Sequence, residues 1–378
     1  MKNYSDKLVG FLAGAILMCA TALGQNGGLR FTLTDLGVFG GTSSEAFAIN
    51  DSGMVVGSYT VAGGKRCFIL QNGAVLKFDG GTTPPKCEAL AVDIKGNVAG
   101  RMYTPRSASV YRAFRYDNGG PLTVLDPRPG YNASMALGIR GGTVVGGIGN
   151  SFYGNYCDWC PFWYSGLEEA VYWDSSGVLT TIVSKQGGTF GNYARGINGR
   201  GEIVGRVFNF NSRSTPWLWK AGVLTYLALP VDPYWLPSPY GFADAINANG
   251  SIVGGGNFAN GTQDGICAEM WSSRSPATQP ILLPNCGYQD ISANAVSNDN
   301  WVVGNSHDLP PRFPFLSVPD PNCVLTDLNT LLDASGRGWT LTTAYGINSQ
   351  HWIVGAAIST RNGQLHAVLL TPNNSPLC

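Results

Sequence analysis

The sequence predicts an all-β fold, a β-propeller of seven four-stranded blades closed by a clasp between its N-terminal and C-terminal strands. Three observations predict it. One hairpin motif occurs seven times, its copies are spaced by about 50 residues, and the two chain ends carry incomplete units that complement each other.

The motif copies are Ala46–Gly57 (AFAINDSGMVVG), Ala89–Gly100 (ALAVDIKGNVAG), Ala136–Gly146 (ALGIRGGTVVG), Ala194–Gly205 (ARGINGRGEIVG), Ala243–Gly254 (ADAINANGSIVG), Ala293–Gly304 (ANAVSNDNWVVG) and Ala344–Gly355 (AYGINSQHWIVG). Small–x–small–aliphatic alternates with period two, as a strand does. Asn-x-x-Gly then supplies a tight turn: Asn supports a side-chain turn bond and Gly accepts positive φ. Val-Val-Gly starts the return strand. The third copy is one residue short, and Asn300 replaces the turn glycine in the sixth. A third strand with an apolar centre follows, for example Cys67–Leu70, Ala113–Tyr116, Ala170–Trp173 and Pro216–Trp219. Short turns lead to a fourth strand such as Val75–Phe78 or Val223–Tyr226. Four strands per period without a helical pattern describe a propeller blade. At the N-terminus, Phe31–Gly37 has no first three strands of its own and matches the sixth unit's expected fourth strand, Val324–Asn329. The last unit stops at its third strand, Leu365–Leu370, so the two ends predict a clasp that removes an open sheet edge.

Residues 1–24 read as a cleaved signal peptide: Lys2 and Lys7 precede an apolar run from Leu8 to Cys19, and small residues follow at Ala20 to Gly24. Residues 25–378 then form one propeller domain, with repeats over about 31–372. Removing Lys2, Lys7 and Asp6 leaves 22 basic against 23 acidic residues. That balance gives no ground for a nucleic-acid partner. No later stretch reaches the roughly 18 apolar residues of a membrane span. Export makes disulfides the default for the eight remaining cysteines. Equivalent places in the repeats pair Cys67 with Cys87 and Cys267 with Cys286. Cys157 and Cys160 read as a local bond, which leaves Cys323 with Cys378.

The repeated unit, preceded by Thr34–Gly41 (TDLGVFGG), resembles the HAF-type extracellular repeat of exported bacterial proteins across about residues 31–372. The resemblance implies a secreted or periplasmic propeller-like protein. It implies no activity and no catalytic residues.

In an up-and-down blade the 1–2 and 3–4 turns share one end, and the 2–3 and 4–1 connections share the other. The first kind is uniformly tight here and the second holds the long segments, so the long-loop end is the expected binding face. Two of its loops are aromatic. One contains Tyr153, Tyr156, Trp159 and Trp163, and the other runs from Asp232 to Tyr240 with Tyr234 and Trp235. Flat rings suit sugars or peptide segments, and they equally suit a small core capping the ring. The variable residue within the A-x-A tripeptide gives Arg195, Asp244 and Asn294 on adjacent blades. These form either a polar ligand cluster near the channel or an inter-blade salt bridge. His307, His351 and His366 lie in separate parts of the repeat, which argues against a histidine metal site or a Ser-His-Asp triad. No spacing selects an acid–base pair among Asp232, Asp264, Asp290, Asp308, Glu168 and Glu169. No cofactor or metal motif is present, and nothing in the sequence indicates an oligomeric state.

The expected function is that of an exported, non-enzymatic binding propeller offering its aromatic long-loop face to a glycan or an extracellular protein. An extracellular polymer hydrolase or lyase at the same face, and a structural or adhesive repeat protein, stay open as alternatives.

Overall fold

The computed structural model describes residues 28–76, 86–104, 107–150, 166–185, 191–209, 213–230, 240–259, 264–283, 290–306, 312–319 and 325–373. They form seven four-stranded antiparallel sheets. Six blades take their strands consecutively from the chain, while the seventh adds Arg30–Gly37 as an outer strand beside Leu365–Asn373. The inner strands are Ser43–Ile49, Cys87–Val92, Ala133–Arg140, Tyr193–Ile197, Gly241–Ile246, Ile291–Val296 and Trp339–Ile347, which number the blades 1 to 7.

Seven motif copies thus make seven blades, and the clasp forms as the chain ends predict. A compact loop fastens it. The Thr32 hydroxyl and the Asn373 amide both donate to Asp333 Oδ2, at 2.5 and 3.0 Å, and Leu33 N donates to Ser335 Oγ at 2.7 Å. One expectation needs correction. The sixth unit's fourth strand is only Thr326–Asp327, and Leu328–Leu331 coils into a 3₁₀ turn. Asp327 causes the switch by capping the turn, its side chain accepting from Asn329 N.

Hydrophobic burial is divided among the seams between blades. Between blades 3 and 4, Val145, Ala170, Ala194, Ile203 and Trp217 pack together. Between blades 7 and 1, Ala46, Val55, Phe68, Val354 and Ala367 do the same. Sheet faces that alternate apolar side chains can be covered only by the neighbouring blade, so closing the ring buries all seven seams together.

The motif has a steric reason that its strand–turn pattern conceals. Every inner strand carries a β-bulge at the variable residue: Phe47, Leu90, Leu137, Arg195, Asp244, Asn294 and Tyr345. The bulge presses the carbonyl of the residue before the first alanine onto the closing glycine of the next strand. A Cβ on Gly57, Gly100, Gly146, Gly205, Gly254, Gly304 or Gly355 would lie inside that oxygen, on Glu45, Glu88, Met135, Tyr193, Phe242, Ser292 and Thr343 respectively. Glycine is therefore obligatory at all seven places, for space rather than for φ.

The motif asparagine also does more than shape its own turn. Asn50 Oδ1 accepts from Ser52 N and Met54 N, while its Nδ2 donates to Asp93 O of the next blade at 2.8 Å. Asn198 donates to Asn247 O at 3.1 Å, Asn247 to Ser297 O at 2.8 Å, and Asn348 to Asn50 O at 3.1 Å. The last of these joins blade 7 to blade 1. These bonds fasten the tight-turn end into a ring. The chain of asparagines lapses where the repeat carries Asp93, Arg140 and Ser297 instead.

Candidate functional site

At the long-loop end, the cross-strand pairs beside each bulge carry charge in blades 2 and 4. The register sets Glu88 opposite Arg101 and Tyr193 opposite Arg206. Around the first pair a network crosses three blades. The Tyr345 hydroxyl donates to Glu45 at 3.3 Å, and Lys65 lies 3.9 Å from Glu45 and 2.7 Å from Glu88. Arg101 pairs with Glu88 and lies over the Tyr111 ring, 4.7 Å from its centroid. The two carboxyls are driven apart. Burial pushes Glu45 above the usual carboxylate range, against the pull of Lys65. Burial also opposes ionisation of Glu88, but Arg101 and Lys65 outweigh it and hold that carboxyl at about 2.

The Cys67–Cys87 disulfide lies beside this network. It joins the third strand of blade 1 to the inner strand of blade 2, with Cα atoms 5.2 Å apart. This is the pairing that the repeat predicts. Cys267 is buried, and its expected partner Cys286 lies outside the described residues, as do Cys157, Cys160, Cys323 and Cys378.

Around the second pair, Arg206 is buried among aromatic rings. Its guanidinium lies 4.8 Å from the Tyr193 centroid and 5.9 Å from that of Phe242, and it donates to the Tyr240 hydroxyl at 3.2 Å. Tyr240 also packs edge-on against Phe208 and Phe242. It is thus buried rather than displayed, because the hydrogen bond that its hydroxyl accepts from Arg206 and the two neighbouring rings fix it in place. Tyr153, Tyr156, Trp159, Trp163, Tyr234 and Trp235 lie outside the described residues.

The three variable residues on blades 4 to 6 each reach toward the neighbouring blade. Arg195 Nη1 lies 3.5 Å from Asp244 Oδ1, and Asn294 Nδ2 donates to Ala344 O of blade 7 at 2.8 Å. Burial raises the Asp244 carboxyl even so, with Arg195 and Arg206 pulling the other way. The inter-blade salt bridge, one of the two readings of Arg195 and Asp244, is therefore present. On the other blades Phe47 packs on Tyr345, at 5.4 Å between centroids, and Leu90 packs against the cluster containing Leu137.

Sequence reasoning passed over Glu45, Lys65, Glu88, Arg101 and Arg206. The available signal was charge directly before the A-x-A tripeptide and directly after the closing glycine. Among the acidic candidates, Glu168 pairs with Lys185 at 2.6 Å, and Glu169 with Arg128 at 2.5 Å. Asp290 accepts from Ile266 N at 2.6 Å. His366 pairs with Asp35 and His351 with Asp299. Asp232, Asp308 and His307 lie outside the described residues. Among the described residues, no group of three or more His, Cys, Asp or Glu is placed to hold a metal ion, and no helix is long and apolar enough to cross a membrane.

At the opposite end the inner turns enclose a cavity of about 160 Å³. Ile49, Ile197, Ile246 and Ile347 line it together with the linking asparagines. Those amides are committed to neighbouring blades, which makes this throat part of the ring's fastening.

No protein-family model matches the chain, and no curated protein matches it. Solved propeller structures do. The β-propeller domain of the Trilobed protease from Pyrococcus furiosus, which has an open velcro topology, is similar at 9% identity and a TM-score of 0.54. The match covers 92% of this chain and 96% of that domain. The structure of YCF48 bound to D1 peptide matches at 10% identity, over 90% of this chain and 94% of that one, with a TM-score of 0.47. Dipeptidyl peptidase 4 of Porphyromonas gingivalis matches at 11% identity and a TM-score of 0.46 over 88% of this chain, which spans 53% of the peptidase. At such identities the likeness is one of fold.

Proposed function

We propose that the protein is an exported propeller of the HAF-repeat type that binds an extracellular glycan or protein at its long-loop end. The observation that carries this reading is the anchoring of Tyr240, the last residue of the aromatic sequence 232–240. Tyr240 is held by the buried Arg206 and packed against Phe208 and Phe242, which makes a rigid base at that end of the segment. Recognition loops gain affinity when the scaffold holds their ends, because less ordering remains to be done on binding. The test is a glycan and cell-wall-polymer array probed with residues 25–378 and with a W159A/W163A/Y234A/W235A variant. Selective retention that disappears in the variant supports the reading. Retention unchanged in the variant refutes it.

A second reading, a polymer hydrolase or lyase, is favoured by one feature. Glu45 is biased toward its protonated form and Glu88 toward its ionised form, and both lie against the one Lys65 ammonium. Carboxyls pushed apart in this way suit general acid–base work. Turnover of a retained polymer that Glu45→Gln abolishes would select this reading over simple binding.

A further inference from the structure

We propose that the groove between blades 3 and 4 at the tight-turn end is a separate binding site for a uronate, a sugar ring bearing one carboxylate. It is a cavity of about 480 Å³ whose lining includes Arg140, Thr143, Tyr172, Ile197, Trp219 and Ile94. That volume lies within the range of roughly 300–1,000 Å³ typical of small-ligand pockets.

Arg140 is the only charged residue in the lining. It is half-buried, and it makes no hydrogen bond or ion pair with the described residues, unlike the half-buried Arg101 and Arg112. A partly desolvated guanidinium without a counter-charge is stabilised by an incoming anion, and its planar fork matches a carboxylate. No second cation lines the groove, so a single negative charge suits it better than a phosphate dianion.

The rest of the wall favours a ring. Tyr172 and Trp219 meet across the seam at 5.5 Å between centroids, tilted by 46°, and both are half-buried. Such faces pack against the C–H face of a sugar, and the Thr143 hydroxyl in the same wall is a donor and acceptor for a sugar hydroxyl.

The groove lies where the repeat departs from its pattern. Arg140 replaces the linking asparagine in the one motif copy that is a residue short, so at the tight-turn end no motif asparagine joins blade 3 to blade 4. Its partner blade supplies Gly199 at a turn position occupied by Asp51, Ile94, Ala248, Asn298 and Ser349 in the other full-length copies. A Cβ at Gly199 would lie 3.5 Å from Arg140 Nη2 and 3.6 Å from Nε, so the missing side chain leaves that flank of the guanidinium uncovered.

The test is calorimetric titration of the mature protein with trigalacturonate, with neutral galactotriose and inorganic phosphate as comparison probes. Trigalacturonate is expected to bind with a Kd below about 1 mM, and more weakly at higher salt. Arg140→Gln is expected to weaken it by roughly tenfold or more, Arg140→Lys by less, and Thr143→Ala by a few-fold. Melting should be unchanged in all three variants, since neither side chain bonds to the described residues. The W159A/W163A/Y234A/W235A variant should bind as wild type, which separates this site from the long-loop face. Absence of binding, equal affinity for galactotriose or phosphate, or undiminished binding by Arg140→Gln would overturn the proposal.

Discussion

His351 occupies a turn position where Gly53, Gly96, Gly201 and Gly250 stand in other repeats, and it takes φ of 60°. Left-handed backbone costs a residue with a Cβ about 1–2 kcal/mol. Two contacts offset that cost: stacking on Trp301, with centroids 3.8 Å apart and planes within 9°, and a 2.7 Å contact with Asp299. His351→Ala keeps the backbone cost and loses both contacts, so it should destabilise by about 1–2 kcal/mol. His351→Gly relieves the backbone and should cost less, and urea denaturation of the two variants checks the order. Glu269 makes a second single-residue prediction. It stands opposite Gly254, where the equivalent register in other blades places Phe68, Phe114, Trp217 or Phe315, and neither carboxyl oxygen has a partner among the described residues. Burial, with a smaller push from Cys267, raises its pKa to about 9. The folded state therefore holds a proton that the unfolded chain releases above about 4.5, and stability falls as pH rises from there toward 9. Glu269→Gln should remove that slope, which melting measured from pH 5 to 9 would show, with a gain of about 1–3 kcal/mol at pH 8. Glu269 was not legible in the sequence, because nothing in a strand pattern separates a buried glutamate from an exposed one. Tyr240 misled for a related reason: an aromatic at the end of a Pro-rich loop looks displayed until a buried arginine is found behind it.

The hairpins were legible because period-two alternation and the turn asparagine act within a dozen residues. The bulges were not, since a bulge is a property of the pairing between two strands and leaves only its steric trace, the invariant closing glycine. Gly205→Ala tests that trace. Its Cβ would meet the Tyr193 carbonyl and the Trp217 ring, so the inner hairpin of blade 4 has to shift. A loss of about 3 kcal/mol is expected, or failure to fold, whereas Gly222→Ala in an open turn should cost about 1 kcal/mol from its positive φ alone. The short fourth strands of blades 5 and 6, Ile281–Leu282 and Thr326–Asp327, were poorly legible because two-residue pairings carry almost no pattern. The disulfide links the third strand of blade 1 to the inner strand of blade 2. Replacing Cys67 and Cys87 by alanine should lower unfolding free energy by about 3 kcal/mol for a 20-residue loop. Non-reducing and reducing denaturation curves of the wild type should differ by at least that amount, since reduction opens every disulfide.

Over the whole molecule, the ring is held at two ends by different means. Asparagine amides and the clasp loop secure the tight-turn end and the outer seam, while paired charges fill the long-loop end and also tie Glu202 to Arg200 and Lys220 in the tight turns of blade 4. These paired carboxylates give an acid limit to stability. Glu88 and Glu202 are held at about 2 against the opposition of burial, Glu88 by Arg101 and Lys65 and Glu202 by Arg200, Lys220 and Asn198. Asp333 is lowered by hydrogen bonds from Ser335, Thr32 and Asn373 in the clasp. Depressed carboxyls contribute their stability above the unfolded value and lose it as pH falls toward the folded one. Melting temperature should accordingly decline below about pH 4.5, on the opposite flank from the Glu269 effect. Ring closure was legible because both ends of the chain lacked what the other supplied. The proposed binding end was legible only as a choice of face, from loop length, and the charge network beside it came from the fold. The most direct measurement is titration of the array-selected ligand into three proteins: wild type, the W159A/W163A/Y234A/W235A variant and Arg140→Gln, with their melting recorded alongside. The long-loop account predicts that affinity is lost only in the four-aromatic variant while all three melt together. Affinity kept by that variant, or lost only with a collapse in its melting, would contradict it.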